Sequence, residues 1–194
     1  GTLIFNYVGH GGENGKAHER VVTRAEIMAW DNYDKLSFYI TASCELAKID
    51  NLELESPGEL MLFDNDGGAV GLLATTRLVF IGQNTQLNTR LVNGNLLRGR
   101  DGKLPTLGDA YKEMRNSDGN ESTNKRCFIL LGDPAMRLLY PQNRVITTAI
   151  NDIPVGLYTD TNSAQHDTLN ALELITVEGE IRDLNNQLMT SFNG

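Results

Sequence analysis

The sequence has few cysteines, few positive charges and no long apolar run. Two cysteines in 194 residues exclude a disulfide-dense scaffold. They leave open one bridge between Cys44 and Cys127, or one reactive and one buried thiol. The chain has 17 Lys and Arg residues against 25 Asp and Glu residues, which gives a net charge of −8. Because the positive residues form no cluster, nucleic acid is not an expected partner. No apolar run approaches the roughly 20 residues that cross a bilayer, so no transmembrane segment is predicted.

The beginning of the chain lacks both an initiator methionine and a signal peptide. It opens on Gly-Thr-Leu-Ile-Phe, which already has the composition of a strand. We interpret the sequence as a piece of a longer protein, so the missing signal is not informative about compartment.

Four short apolar segments indicate strands that are covered on both faces. They are nearly continuous rather than alternating, and each ends in small or turn-forming residues. The segments are residues 3–8, 36–42, 69–74 and 127–131. Two capping boxes, residues 23–26 and 56–59, each predict the start of a helix that continues into the apolar residues that follow, and residues 84–97 and 106–115 are predicted as two further helices. Strands that alternate with helices predict an α/β fold, a mostly parallel sheet with helices on both faces.

The composition changes after residue 141, where loops rich in Asn, Asp and Thr replace the helical signals. We therefore predict two domains, residues 1–141 and residues 142–194, the second being the truncated beginning of a β-rich, immunoglobulin-like sandwich. Its predicted strands and turn are residues 145–150, 172–177, 178–182 and 183–187.

His10 lies in Val-Gly-His-Gly-Gly, directly after the first predicted strand. The flanking glycines allow a sharp turn and the close approach of a ligand. Histidine changes its protonation near neutral pH, so His10 is a candidate general base or acid. The alternative is a turn histidine that only ends a strand.

Cys44 follows Ile-Thr-Ala-Ser at the end of the second predicted strand. An imidazole beside a thiol favours the nucleophilic thiolate, whereas the alternative is a buried structural cysteine. Neighbouring parallel strands lie about 4.8 Å apart and end at one edge of the sheet, so His10 and Cys44 can approach each other. The amides of Gly11 and Cys44 could then form an oxyanion hole.

Residues 7–13 (Tyr-Val-Gly-His-Gly-Gly-Glu) and 41–45 (Thr-Ala-Ser-Cys-Glu) resemble the His-Gly and Cys elements of the gingipain family of cysteine peptidases. Residues 56–59, 67–72 and 131–135 are also similar to segments of that family. The resemblance covers about residues 2–141 and is strongest to the PorU type, surface sortases of bacterial type IX secretion.

This resemblance implies a caspase-like fold, with residues 1–141 as the C-terminal part of the peptidase domain. It implies that His10 is the general base or acid, that Cys44 is the nucleophile and that the Gly11 and Cys44 amides are the oxyanion donors. It also implies a substrate cleft lined by Thr75, Thr76 and Arg77. The family orients its histidine with a carboxylate that precedes it, so that acid is expected upstream of this sequence, which leaves the activity of this segment alone open.

The implied function is a cysteine endopeptidase, or sortase, that removes C-terminal sorting domains from secreted cargo through a thioester on Cys44. Its partners would be cargo proteins and other outer-membrane secretion components at the bacterial surface. Two alternatives stay open: a catalytically silent binding or structural module of a secretion complex, and a broad-specificity secreted peptidase of the same family.

Neither a metal nor a cofactor is expected. His10, His18 and Glu13 lack the spacing of a zinc site, and residues 64–67 lack the bidentate Glu of a calcium loop. Glu13 and Glu45 could tune the site electrostatically, but the preferred interpretation is that both are ordinary exposed carboxylates.

Overall fold

The computed structural model describes residues 2–16, 22–96, 104–116, 123–141, 143–155, 169–183 and 185–192. The chain divides into two units, Gly1–Leu139 and Tyr140–Gly194. Within the described ranges, we find no helix with the length and apolar character that crossing a bilayer requires.

The described part of the first unit contains seven strands and five α-helices. The strands are β1 (Ile4–Val8), β2 (Gly11–Gly12), β3 (Gly15–Lys16), β4 (Val22–Thr23), β5 (Ser37–Ala42), β6 (Ala69–Thr75) and β7 (Phe128–Leu131). The helices are α1 (Arg24–Ile27), α2 (Pro57–Phe63), α3 (Ile81–Thr89), α4 (Leu107–Asn116) and α5 (Thr123–Cys127). A 3₁₀ turn, Tyr33–Lys35, precedes β5, and a π-helical segment, Arg90–Leu96, continues α3.

Four strands form the central sheet in the order β1-β5-β6-β7. Strands β1, β5 and β6 are parallel, and β7 runs antiparallel to β6. The prediction of a mostly parallel sheet is confirmed, and each of the four apolar segments matches one of its strands to within one residue at either end. One predicted boundary is wrong, because Cys127 ends α5 and its Sγ bonds the carbonyl of Thr123 one turn earlier at 3.4 Å.

Both faces of this sheet are covered, as the continuous apolar segments predicted. Side chains alternate between the faces along a strand, and Tyr39 and Leu72 are register partners that share one face. That face packs in a core cluster with Ile27 of α1 and Met61 of α2, both fully buried. Asn6 lies on the opposite face and is hydrogen-bonded to α3.

The two capping boxes are confirmed. Thr23 accepts a hydrogen bond from the Glu26 amide at 3.3 Å, and the Glu26 carboxylate accepts one from the Thr23 amide at 2.6 Å. Ser56 and Glu59 form the same reciprocal pair. Each box satisfies amides that a helix N-terminus leaves without an internal partner.

Helix α3 begins three residues before the predicted start, and buried asparagines fix it to the sheet. Asn84 donates to the carbonyl of Ala42 at 3.1 Å, and Asn88 exchanges two hydrogen bonds with Asn6 at 2.7 and 3.0 Å. Asn124, which is fully buried, donates to the side chain of Asn84 at 2.8 Å. Polar side chains therefore set where α3 meets β1 and β5.

Lys16 at the end of β3 is a buried amine. It is 2% exposed, and its Nζ has no hydrogen-bond partner among the described residues. The Nζ lies 4.6, 4.9 and 5.8 Å from the ring centroids of Phe5, Tyr39 and Tyr7. Burial lowers the pKa of Lys16 to about 8, because cation–π contacts with three rings compensate only part of the hydration free energy that the ammonium loses.

Replacing Lys16 by methionine should stabilise the protein by about 2 kcal/mol at pH 7. The pKa of Lys16 in the folded protein lies below the unfolded value of 10.5. The buried ammonium therefore destabilises the wild type fully below pH 8, and this destabilisation is relieved as the pH rises toward 10.5. Urea unfolding at pH 7 and pH 10 measures both effects, with exposed Lys35→Met as the control. Parallel pH profiles of wild type and Lys16→Met would contradict the prediction.

The second unit contains an antiparallel sheet of three described strands, β8 (Asn143–Ile150), β9 (Ile153–Pro154) and β10 (Val177–Asp183), in the order β10-β8-β9. The predicted strands 145–150 and 178–182 are confirmed within β8 and β10. The predicted turn at 183–187 is confirmed too, since the Asp183 carboxylate accepts from the amides of Asn185 and Gln187 at 2.9 and 2.8 Å.

The predicted strand at 172–177 is wrong, except for Val177. Leu172 has a left-handed φ of 67°, which extended backbone does not adopt. A local turn replaces the strand, because the carboxylate of Glu173 accepts from the amide of Asn170 at 2.9 Å. The apolar side chains of Leu172 and Leu174 suggested a strand, yet both are exposed.

Candidate active site

His10 and Cys44 lie at the same edge of the central sheet. Val8, the last residue of β1, is the register partner of Ala42, the last residue of β5. Each candidate residue follows its strand by two positions, and the amide of Gly9 still bonds the carbonyl of Ala42 at 3.4 Å. Parallel neighbouring strands are about 4.8 Å apart, so the two side chains leave the sheet from adjacent strand ends.

His10 is exposed, and a hydrogen bond from a side chain of β1 fixes its backbone. The Tyr7 hydroxyl donates to the carbonyl of His10 at 2.8 Å. A tight hairpin, β2 and β3, follows immediately, and Gly15 closes it with a φ of 138°. A side chain at Gly15 would collide with the carbonyl of Val22. The hairpin therefore depends on glycine for its shape and places His10 at its outer rim.

Cys44 is a free, half-buried thiol whose Sγ lies 3.7 Å from the carbonyl oxygen of Val79. The residue before it, Ser43, is fully buried, and its carbonyl accepts a hydrogen bond from the Thr75 hydroxyl. The residue after it, Glu45, has a φ of 50°, which is uncommon for a non-glycine residue. The turn at Cys44 is thus fixed from both sides.

An ion-pair cluster joins the His10 hairpin to the loop that follows Cys44. The Lys48 ammonium lies 2.6 Å from Glu13 Oε1 and 3.5 Å from Glu45 Oε1, and the Asn51 amide also donates to Glu13. Hydrogen bonds from Lys48 and Asn51 lower the pKa of Glu13, and the Glu13 carboxylate raises the pKa of Lys48. The two carboxylates interpreted as ordinary exposed groups are therefore partly buried and share one lysine.

The three residues predicted to line a substrate cleft have different environments. Thr75 is fully buried, and Thr76 donates from its amide to the carbonyl of Cys127 at 2.8 Å. Arg77 is exposed and forms a bidentate pair with Asp50 at 2.6 and 3.0 Å, which raises the pKa of Arg77 and lowers that of Asp50. Arg77 can therefore contact a substrate through its side chain, whereas the side chain of Thr75 is buried.

Sequence reasoning missed the apolar residues that follow Arg77. Leu78, Phe80 and Ile81 are 70, 69 and 67% exposed, and they flank Val79, whose carbonyl faces the Cys44 thiol. The signal was present as a Leu-Val-Phe-Ile run that begins three residues after the end of β6, at a sheet edge where loops carry function.

No group of three or more potential metal ligands lies together in the described ranges. Residues 64–67 form a turn in which the Asp64 carboxylate accepts from the Asp66 amide at 3.0 Å. His18 falls outside the described residues.

The sequence profile of peptidase family C25 matches residues 1–139. No curated protein matches the chain. Among solved structures, the complex of the pro- and mature domains of RgpB from Porphyromonas gingivalis aligns with a TM-score of 0.56 and 15% identity, over 75% of this chain and 37% of that one. The Arg-specific cysteine proteinase gingipain R (RgpB) aligns with a TM-score of 0.53 and 16% identity, over 75% and 36%.

Dimeric latent PorU from Porphyromonas gingivalis shares 23% identity over 63% of this chain and 11% of that one, with a TM-score of 0.30. The two RgpB alignments show that the chain has the gingipain fold over about three quarters of its length. The chain spans less than two fifths of the length of those two structures.

Proposed function

The chain belongs to peptidase family C25, the gingipain family of cysteine peptidases, and from this premise we propose that it carries the nucleophile and the proton-transfer residue of a cysteine endopeptidase. Cys44 is the nucleophile, and His10 is the general base and acid. The observation that carries the proposal is the register of β1 and β5, in which Val8 pairs with Ala42. His10 follows Val8 by two positions, and Cys44 follows Ala42 by two positions.

The chemistry that follows is acyl transfer. His10 accepts the thiol proton, and the thiolate of Cys44 attacks the carbonyl carbon of the scissile peptide bond. The tetrahedral intermediate then collapses, the C–N bond breaks, and His10 returns the proton to the departing amine. The acyl group remains on Cys44 as a thioester until water or an amine attacks it and releases the thiol.

The geometry of the hairpin supports the Gly11 amide as an oxyanion donor. Gly12 and Gly15 flank a two-residue loop, and Gly11 and Lys16 are the next register partners. Hydrogen-bonded and non-hydrogen-bonded pairs alternate in such a ladder, and the pair that closes the loop is hydrogen-bonded. The Gly11 amide then points out of the ladder, where with the Cys44 amide it can bind the developing oxyanion.

The substrate we propose is a secreted cargo protein with a C-terminal sorting domain, processed by a sortase reaction at the bacterial surface. The likeness of residues 7–13 and 41–45 to the PorU type supports this role. The exposed Leu78, Phe80 and Ile81 beside the thiol favour apolar contacts with the cargo. For the second unit we propose a β-rich, immunoglobulin-like domain, supported by the antiparallel sheet of β8, β9 and β10.

Thiol alkylation tests the assignment without knowledge of the substrate. In the whole protein, the rate at which iodoacetamide modifies Cys44 should already approach its plateau near neutral pH, and His10→Ala should slow that reaction about tenfold or more at pH 7. Cys127 is 7% exposed and serves as an internal control, because each site is quantified separately by peptide mass spectrometry. If Cys44 is alkylated slowly in the wild type and at the same rate in His10→Ala, the silent-module alternative is favoured.

A further inference from the structure

The two loops that carry His10 and Cys44 are weakly joined by the backbone. Among the described residues, the backbone hydrogen bond that joins them beyond the end of β1 runs from the Gly9 amide to the Ala42 carbonyl, at 3.4 Å. The His10 hairpin also contains several glycines, which lose more conformational freedom on folding than other residues. The sheet alone therefore sets where the loops begin but not how far apart their tips lie.

Lys48 bridges the loop tips. It lies 35 residues from Glu13, which stands at the tip of the His10 hairpin, and their charged groups are 2.6 Å apart. It also contacts Glu45, the residue after the candidate nucleophile, at 3.5 Å. The side chains of Lys48, Glu13 and Glu45 are 28, 22 and 24% exposed, so water screens them less than it screens an ordinary surface pair.

The other ion pair near the site does not make this connection. Arg77 and Asp50 are 51 and 56% exposed, and they join the loop after Cys44 to the end of β6. In the part of the chain that the structure describes, the Lys48 cluster is the ion-paired contact between the His10 hairpin and the Cys44 loop. Asn51 supports it by donating to the second oxygen of Glu13.

Resting on the proposed function, we infer that Lys48 is a positioning residue that fixes the distance between His10 and Cys44 by holding Glu13 and Glu45 together. Glu13 and Glu45 face the Lys48 ammonium, and Asp50 with its partner Arg77 lies nearby. Without Lys48 the two carboxylates repel each other across the gap between the loops, which both widens the gap and disfavours the thiolate.

The experiment measures iodoacetamide alkylation of Cys44 against pH in the whole protein. Lys48→Met should lower the rate at pH 7 about tenfold and move the half-maximal rate to higher pH. Lys48→Arg, which keeps the charge and can still bond both carboxylates, should restore most of the rate. Lys35→Met is the matched control, because Lys35 is exposed and precedes β5, at the opposite end from Cys44.

A mutant cycle separates positioning from a general loss of fold. Glu13→Ala breaks the same bridge but leaves no opposed carboxylates, so it should shift the profile in the same direction as Lys48→Met and by less. The double variant should be no slower than Lys48→Met, because both changes break one bridge. Thermal unfolding of each variant checks that it is folded. If Lys48→Met fails to fold, Glu13→Gln, which keeps an acceptor without the charge, should still give an intermediate shift of the pH profile.

Two results would overturn the inference at different levels. If wild-type Cys44 is activated by His10 but folded Lys48→Met has the same pH profile, the positioning role is wrong and the proposed function stands. If Cys44 reacts slowly in the wild type and equally slowly in His10→Ala, the proposed function is wrong, and the positioning role that rests on it is wrong as well.

Discussion

Replacing Cys44 by alanine should lower cleavage of a cargo protein by the whole enzyme at least about 10⁴-fold, because loss of the nucleophile removes the covalent route altogether. The free, half-buried thiol at the end of β5 carries this expectation. The measurement is the release of the C-terminal sorting domain over time, followed by gel densitometry and by the mass of the shortened cargo. Adding a primary amine in millimolar excess should shift that mass, since an amine can resolve the thioester in place of water.

The matched control is Cys127→Ala. That thiol is also free, but it is buried at the end of α5, and its Sγ bonds the carbonyl of Thr123. Its backbone carbonyl, which accepts from Thr76, is unchanged by the substitution. Cargo processing that persists undiminished in Cys44→Ala would defeat the assignment, and processing of many unrelated proteins by the wild type would favour the broad-specificity peptidase.

The sheet was predictable from the sequence because burial on both faces leaves a local trace. Continuous apolar segments mark β1, β5, β6 and β7, and glycine or small residues mark where each one ends. The capping boxes at Thr23 and Ser56 are equally local, since each needs residues only three positions apart. Once the strand ends are known, the parallel rule places the candidate residues at one edge.

Polar contacts between distant residues were not predictable in this way. Glu13 and Lys48 are 35 positions apart, and Asn6 and Asn88 are 82 apart, so no periodicity connects them. Lys16 shows the same limit, because lysine is almost never fully buried. Thr75 shows a further limit, because no local pattern indicates that its hydroxyl bonds the carbonyl of Ser43, the residue before Cys44.

Replacing Gly11 by alanine should reduce turnover about 100-fold while leaving the Michaelis constant nearly unchanged. A Cβ at Gly11 would lie 2.7 Å from Ser43 Oγ and 2.8 Å from Ser43 Cβ. Ser43 is fully buried and its carbonyl is bonded by Thr75, so the hairpin has to move instead. A shift of about 1 Å carries the Gly11 amide away from the oxyanion, which matters in the transition state more than in substrate binding.

Gly12→Ala is the control for this prediction, because a Cβ at Gly12 has no heavy atom within 4 Å. Gly11→Ala combined with Ser43→Gly should recover part of the lost turnover, since the second change removes the two side-chain atoms that the new methyl group meets. Turnover is measured on cargo with the whole protein, after thermal unfolding confirms that each variant is folded. Equal activity of Gly11→Ala and Gly12→Ala would show that the Gly11 amide does not serve the reaction, because only the first substitution displaces it.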